Sequence, residues 1–462
     1  MKEKSSTMDT PLKECPICDS KNVSYDFSQN SSSLYICNDC GHIFLDSDGN
    51  HTIFQDQKGG YCFSDIKNIV NELFEGIPCN DGTLKVLQIG GEVLNFGNGF
   101  EITYIDENKL YSLKQDSCFD ICIFNDIIDN TVFPIKFLQS LWKILKQDAV
   151  CFFYVNSRDS INAKKYKYKW KLFENLRRQY FNNAVIENAL CKCGFSRISI
   201  KQCGADGIIV RCQKDIKRVR PLLSVIIPVY NEEKTILDLL NSVYNKKLEG
   251  IDKEYIIIES NSKDNTRKIV SDFVGKRPEI KLLLEDKPQG KGHAVRAGFK
   301  AAQGDFIIIQ DGDLEYDIND YDSLLLPLTR YQKAFVLGLR HHNVWKMRAF
   351  SEQKTLTTYV NFGHLIFTKL INFVCKTKTK DPFTMYKTFR RECLYGLEFD
   401  GNRFEIDWEI MIKLCRKGYK PIEIPINYKS RSFKEGKKVS MFLDPLIWLK
   451  SFIRYGYLYK IK

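Results

Sequence analysis

The chain has no apolar run long enough to cross a membrane. Its most apolar long stretch, Tyr359 to Cys375, is interrupted by Asn361, His364, Lys369 and Asn372. A spanning helix needs about 20 predominantly apolar residues, so this stretch reads as a helix packed on a domain. The first residues, MKEKSSTMDTPLKE, lack the apolar region of a secretory leader. A cytoplasmic protein is therefore expected, with its 16 cysteines as reduced thiols or metal ligands rather than disulfides. No stacking platform or groove-reading motif accompanies the basic surplus, so nucleic acid is not expected as a partner.

With 462 residues, two large domains and a small one are expected, each with its own core. The segment QKDIKRVRP, residues 213–221, reads as a charged linker ended by Pro221. Of the net charge of +12, residues 410–462 hold +10, from thirteen Lys/Arg against Glu423, Glu435 and Asp444. The tail MFLDPLIWLKSFIRYGYLYKIK mixes that charge with Trp448, Phe452, Tyr455, Tyr457 and Tyr459. Such a segment suits an anionic membrane surface. The other reading is a core-packing helix with a solvated basic face.

The chemistry concentrates at residues 304–317, GDFIIIQDGDLEYD. The short apolar run Phe306 to Ile309 has the length of a buried strand and ends in Asp311, Asp313 and Glu315. Strand alternation is expected to carry these three carboxylates on one side, where they repel unless a cation sits among them. Oxygen ligands of this kind suit Mg²⁺ or Mn²⁺, usually shared with substrate phosphates. An acidic turn after a core strand is the plain alternative. Two more buried strands end in polar residues, SVIIPVYNE at 224–232 and YIIIESNSKDNT at 255–266. The loop PQGKGHAVRAG opens a helix and offers backbone N–H groups and Lys291 to phosphate oxygens. Strands alternating with helices, with polar residues at their carboxyl ends, describe an α/β sheet with a ligand crevice there.

On these motifs, residues 221–440 resemble the family 2 glycosyltransferases of GT-A fold, above all the dolichyl-phosphate mannose synthase and polyprenyl-phosphate glycosyltransferase branch. The resemblance implies a nucleotide-sugar donor, whose pocket is lined by Pro228, Tyr230, Glu232 and Glu259, the last standing where the family usually has Asp. It implies that Asp311, Asp313 and Glu315 hold the metal and that Arg340 contacts phosphate. DPFTMYKTFRREC, from Asp381, resembles the acceptor-side segment, and Asp407 and Glu409 precede an amphipathic helix whose apolar stripe, Ile410, Ile412, Leu414 and Cys415, faces the core with the basic residues outward. The loop YKSRSFKEGKKVS resembles the segment that closes on the diphosphate, giving Arg431, Lys437 and Lys438 as further donor contacts. A solvated basic loop is the alternative for the two lysines.

The other end carries a separate signal. Cys15-Pro-Ile-Cys18 and Cys37-Asn-Asp-Cys40 are two C-x-x-C knuckles separated by eighteen residues, the spacing of a Cys₄ zinc ribbon. Four thiolates leave no open position, so the Zn²⁺ should be structural. Between the knuckles and the linker, residues 84–215 resemble a class I S-adenosylmethionine-dependent methyltransferase in outline. LKVLQIGGE stands for the first strand and glycine loop, EITYID for the second strand and FDICIFNDIID for the fourth. Gln88 replaces the family's acidic residue and Gly90-Gly91-Glu92-Val93 breaks its glycine spacing. Twelve residues separate Asp106 from Phe119, too few for a strand and a helix. A degenerate Rossmann-like fold that does not bind S-adenosylmethionine is expected.

The expected architecture is α/β throughout: a zinc ribbon at 13–48, a methyltransferase-like domain at 60–215 and a GT-A domain at 221–462. The expected activity is metal-dependent, single-displacement sugar transfer, with a hydroxyl of a cell-envelope or capsule glycan precursor at the inner membrane face as the expected acceptor and a polyprenyl phosphate as the alternative. For a hydroxyl acceptor a base is needed, and Asp381, Asp407 and Glu409 are the candidates, of which Glu409 aligns best with the acidic residue that the resembled family carries before its last helix. A methyltransferase with an accessory domain, or a non-catalytic scaffold, are the competing readings.

Overall fold

The computed structural model describes residues 14–29, 32–45, 83–90, 99–113, 118–125, 127–174, 176–340, 354–429 and 450–459. The chain divides into two units, Met1–Lys217 and Arg218–Lys462.

In chain order the first unit contains strands β1 (Val23–Gln29), β2 (Ser32–Cys37), β3 (Ile43–Leu45), β4 (Leu84–Ile89), β5 (Phe100–Ile105), β6 (Phe119–Asn125), β7 (Leu145–Asn156), β8 (Gln179–Tyr180), β9 (Phe195–Cys203) and β10 (Gly207–Lys214). Its longer helices are α1 (Pro134–Ile144) and α2 (Asn183–Cys193). A small antiparallel sheet runs β1-β2-β3-β8. A larger sheet runs β5-β4-β6-β7-β10-β9, with β5, β4, β6 and β7 parallel and β10 antiparallel to both neighbours. The inner strands are continuous apolar runs because both faces of a parallel sheet are covered, and Ile121 to Phe124 are all buried. Between Ile105 and Phe119 the described residues form one 3₁₀ segment, Glu107–Ser112. The small sheet is fixed to the rest of this unit by Arg158, which donates to the Gly41 carbonyl at 3.0 Å, and by Lys192, which donates to that of Ile17 at 2.8 Å.

The second unit contains β11 (Leu222–Val229), β12 (Asp252–Glu259), β13 (Lys281–Leu284), β14 (Phe306–Ile309), β15 (Phe335–Leu339), β16 (Lys387–Arg390) and β17 (Ile422–Pro425). Its helices are α3 (Ile236–Asn245), α4 (Thr266–Gly275), α5 (Lys291–Ala301), α6 (Tyr321–Thr329), α7 (Lys354–Cys375) and α8 (Ile406–Lys417). The sheet order is β13-β12-β11-β14-β16-β15-β17. The first four strands are parallel, and β16 runs antiparallel between β14 and β15. One core joins these strands to the helices, with Ile226, Ile257 and Ile308 fully buried. Helix α5 lies close on the sheet at Gly298, where a Cβ would come within 2.4 Å of Ile226 Cγ2. Just beyond the ends of β11 and β12, Asn231 and Asn261 turn the chain outward in the left-handed region, which asparagine tolerates best after glycine. These turns put the polar residues at the carboxyl edge, where an open α/β sheet binds ligands. No helix among the described residues is long and apolar enough to cross a membrane.

Candidate functional site

The loops after β11 and β12 interlock. Asn231 N–H donates to Ser262 Oγ at 2.9 Å, and Glu232 N–H to Thr266 Oγ1 at 2.8 Å. Pro228, Tyr230 and Glu232 lie on this rim, Pro228 buried and the other two half-buried. Glu259 is fully buried; it accepts the Ser262 N–H at 2.7 Å and forms an ion pair with Arg267. Its carboxylate therefore orders the loop after β12.

Strand β14 ends at Ile309, so alternation does not carry through to the acidic turn. The turn is instead tied to α3 by Thr235 Oγ1, which donates to the Gly312 carbonyl at 3.2 Å. Its carboxylates have separate partners. Asp311 is ion-paired with Lys291. Asp313, only 8% exposed, accepts the Glu315 N–H at 3.1 Å. Glu315 accepts the Tyr428 hydroxyl at 2.6 Å. The three do not converge on one point: among the described residues, the four-cysteine set below is the one group of three or more ligands that does. A cation of the Mg²⁺ type needs no such cage, because it commonly takes one or two carboxylates and completes its shell with phosphate and water. Asp313 and Asp311 fit that demand.

A buried charge cluster surrounds them. Burial works against the Lys291 ammonium, but Asp311, Asp407 and Asp313 together hold its pKa above the ordinary lysine value. Burial raises the Asp407 carboxyl, against the pull of Lys387 and Lys291. Asp407 Oδ1 is buried without a hydrogen-bond partner among the described residues. Arg340 and Asp381 form a bidentate pair at 2.7 Å and 2.7 Å, which keeps the guanidinium charged despite burial. Asp381 is thus committed to Arg340.

Lys387, absent from the candidates read from sequence, belongs to this cluster. It is fully buried on β16, and its ammonium donates to the Thr384 carbonyl. Burial pushes it down to about 8, opposed by Asp407 and Asp381. It forms no ion pair among the described residues. The signal was a lysine inside the apolar run of MYKTF, where an ammonium costs much to bury unless an anion meets it.

Asp407 and Glu409 diverge. Glu409 is fully buried and turned to Lys413, with Nζ and Oε1 2.5 Å apart. The expected outward basic face of α8 does not hold there, since every residue from Ile406 to Cys415 is buried, Lys413 included. The segment 450–459 covers that face: Lys413 Nζ lies 3.9 Å from the Tyr459 ring centre and 4.8 Å from that of Tyr455. Arg431, Lys437 and Lys438 lie outside the described residues.

In the first unit the sulfurs of Cys15, Cys18, Cys37 and Cys40 all lie within 4.8 Å of one another, with Cys15–Cys40 and Cys18–Cys37 each at 3.6 Å. Tetrahedral thiolates at about 2.3 Å from a zinc ion would sit about 3.8 Å apart, so the spacing fits. His42 stands outside this set. Its Nε2 pairs with Gln179 Oε1 at 2.7 Å, and burial lowers its pKa to about 4.

A largely parallel sheet with an acidic turn, a helix N-terminus and buried cations at its carboxyl edge makes this unit an α/β domain with a candidate ligand crevice. Residues 224–397 match the family described as "Glycosyl transferase family 2". The dolichol-phosphate mannosyltransferase of Mycosarcoma maydis is 32% identical over 247 residues, which are 51% of this chain and 81% of that protein. That of Pyrococcus furiosus is 27% identical over 217 residues; the match covers 46% of this chain and 58% of the relative's length. A solved structure, the glucosyl-3-phosphoglycerate synthase of M. tuberculosis, is similar with a TM-score of 0.40 at 17% identity, over 52% of this chain and 82% of that one. The chain belongs to glycosyl transferase family 2, and the residues matched to that family lie within its second unit.

Proposed function

We propose that the second unit transfers a sugar from a nucleotide-sugar donor to the phosphate of a polyprenyl phosphate, by single displacement with inversion. The observation that carries this reading is Lys387, a buried ammonium beside Arg340 that forms no ion pair with a carboxylate among the described residues. It is suited to a second anion, distinct from the donor diphosphate that Asp313, Asp311 and Lys291 would serve. The dolichol-phosphate transferases among the relatives support the same acceptor class. In the reaction an acceptor phosphate oxygen attacks the anomeric carbon, the bond from that carbon to the diphosphate breaks, and nucleoside diphosphate leaves. Bound Mg²⁺ or Mn²⁺ would neutralise charge on the departing diphosphate. Asp313 and Asp311 would hold that ion, with Glu315 supporting the turn through Tyr428. Lys291 stays charged next to the diphosphate, and Arg340, fixed by Asp381, orients the acceptor. A donor panel read as released nucleoside diphosphate, with Mn²⁺ and polyprenyl phosphate present, tests this; no release from any donor would refute it.

A second reading has one observation in its favour, the buried and unpartnered Oδ1 of Asp407. With a hydroxyl acceptor on a glycan precursor, Asp407 would take the proton. Asp407→Asn would then lower turnover by about 10²-fold or more. A phosphate nucleophile is already an anion and requires no such base.

For the first unit we propose a structural zinc on Cys15, Cys18, Cys37 and Cys40, and a methyltransferase-type sheet that has lost cofactor binding. The strand order, with β10 alone reversed, supports the methyltransferase-type sheet, and the single 3₁₀ segment described between β5 and β6 supports the loss of cofactor binding; the loop 91–98 lies outside the described residues. The domain limits 13–48, 60–215 and 221–462 remain the proposed ones. We expect metal analysis of protein purified without chelator to find one zinc per chain, and calorimetry to find no S-adenosylmethionine binding. Absence of zinc, or a micromolar dissociation constant, would contradict the respective half. Contact of the basic tail with an anionic inner membrane face fits a lipid acceptor and belongs to the same proposal.

A further inference from the structure

We propose that Glu409 is a positioning residue, which holds the loop 398–403 against the first turn of α5 and so sets how tightly the donor diphosphate is bound. This rests on the donor-site reading above, which places the diphosphate at Lys291 and the first turn of α5.

Both oxygens of Glu409 are occupied. Oε1 accepts the Asp400 N–H at 2.9 Å and the Lys413 ammonium at 2.5 Å, and Oε2 accepts the Gly401 N–H at 2.8 Å. A proton acceptor in catalysis must lie within hydrogen-bond reach of substrate, and Glu409 is fully buried, paired with Lys413 and turned to the loop backbone. What it orders is specific. Gly401 packs so closely that a Cβ there would lie 2.6 Å from Glu409 Oε2. The carbonyls of Gly401 and Asn402 then meet the glycines of the phosphate loop. A Cβ at Gly292 would lie 2.4 Å from Gly401 O, and one at Gly290 2.4 Å from Asn402 O. The Asn402 carbonyl also accepts the His293 N–H at 3.2 Å, and Arg296 of α5 reaches back to the Phe399 carbonyl at 3.1 Å. The glycines of PQGKG therefore serve this contact as well as any approach of phosphate. With the His293 N–H already engaged, the amides left to an anion are those ahead of it in the first turn.

The clamp extends to the C-terminal segment. Lys413 donates to the Glu398 carbonyl at 2.5 Å, Tyr455 donates its hydroxyl to Asp400 Oδ1 at 2.7 Å, and Arg454 is ion-paired with Asp400. The Glu398 N–H reaches the Tyr459 hydroxyl at 3.2 Å. The basic aromatic tail is thereby connected, through the loop 398–403, to the turn that carries Lys291.

Three variants test the clamp: Glu409→Gln, Glu409→Gln with Lys413→Met, and Tyr455→Phe. Each is read for donor KM, kcat, nucleoside diphosphate Kd with Mn²⁺, thermal midpoint and amide exchange. In Glu409→Gln we expect donor KM and Kd to rise about tenfold with kcat within about twofold, the scale of a displaced binding group. Exchange should quicken both in 398–403 and at 290–296. The double variant, which no longer buries an unmatched ammonium, should regain thermal stability yet keep the raised Kd. Tyr455→Phe, the milder change, should shift Kd the same way by about threefold. A fall in kcat of about 10²-fold or more with Kd unchanged would make Glu409 the base and overturn the proposal. So would faster exchange confined to 398–403 with Kd unchanged. If the wild type binds no nucleoside diphosphate, the donor-site reading fails, and the exchange pattern still judges the clamp by itself.

Discussion

Asp313→Ala is expected to lower sugar transfer by more than about 10³-fold while leaving the fold intact, because charge on the leaving diphosphate would lose its main stabilising group. Asp311 is answered by Lys291, and Glu315 by Tyr428. Asp313 accepts the Glu315 N–H at 3.1 Å and shares Lys291 with the carboxylates of Asp311 and Asp407. Its removal should therefore leave the thermal midpoint within a few degrees of wild type. Wild type in excess chelator should lose activity to a similar extent. Normal turnover in either case would sink the metal assignment. Retained nucleoside diphosphate binding without metal would confine the loss to the chemical step.

The second large effect concerns Lys387. Lys387→Met is expected to lower kcat/KM for a polyprenyl phosphate by about 10- to 100-fold, the value of one hydrogen bond to a charged group. Donor KM should stay unchanged. Stability should hold or rise, since the variant relieves a buried charge. The pH dependence gives an independent check. The folded pKa is pushed down to about 8, so the ammonium is lost as pH rises through that value. Acceptor kcat/KM should therefore fall above pH 8, and Lys387→Arg, always charged, should remove that fall. Stability moves the other way. The folded value lies below the unfolded value of about 10.4, so between the two the unfolded chain binds more protons and stability rises with pH. Activity falling while stability rises separates loss of charge from unfolding. A flat acceptor profile from pH 7 to 9 would contradict the role.

Much of this architecture was legible in the sequence, for local reasons. Buried parallel strands must be apolar throughout, so VIIPV, YIIIE and FIII announce β11, β12 and β14. The four cysteines are also a local pattern, since two knuckles fix their own ligands by spacing. The partners of the carboxylates were not legible, because they are chosen by tertiary packing. Lys291 answers Asp311 across 20 positions, and Arg340 answers Asp381 across 41. The period-two argument for the acidic turn assumed a strand that stops at Ile309. Lys413 looked like part of a solvated face and is instead roofed by Tyr455 and Tyr459, which a helical stripe cannot foretell. As a base Glu409 was the better-aligned candidate of the pair, yet Asp407 is the one that faces the charge cluster, and Glu409 faces Lys413.

The central claim is that the acceptor is a phosphate anion held by Arg340 and Lys387. The most direct measurement offers labelled nucleotide-sugar with Mn²⁺ to a polyprenyl phosphate and to the matching free polyprenol, using wild type and Asp407→Asn. Label is expected in the phosphate acceptor alone, as an acid-labile glycosyl phosphate, at rates that Asp407→Asn changes by less than about tenfold. Label in a hydroxyl acceptor, or its loss from both with Asp407→Asn, would contradict the central claim.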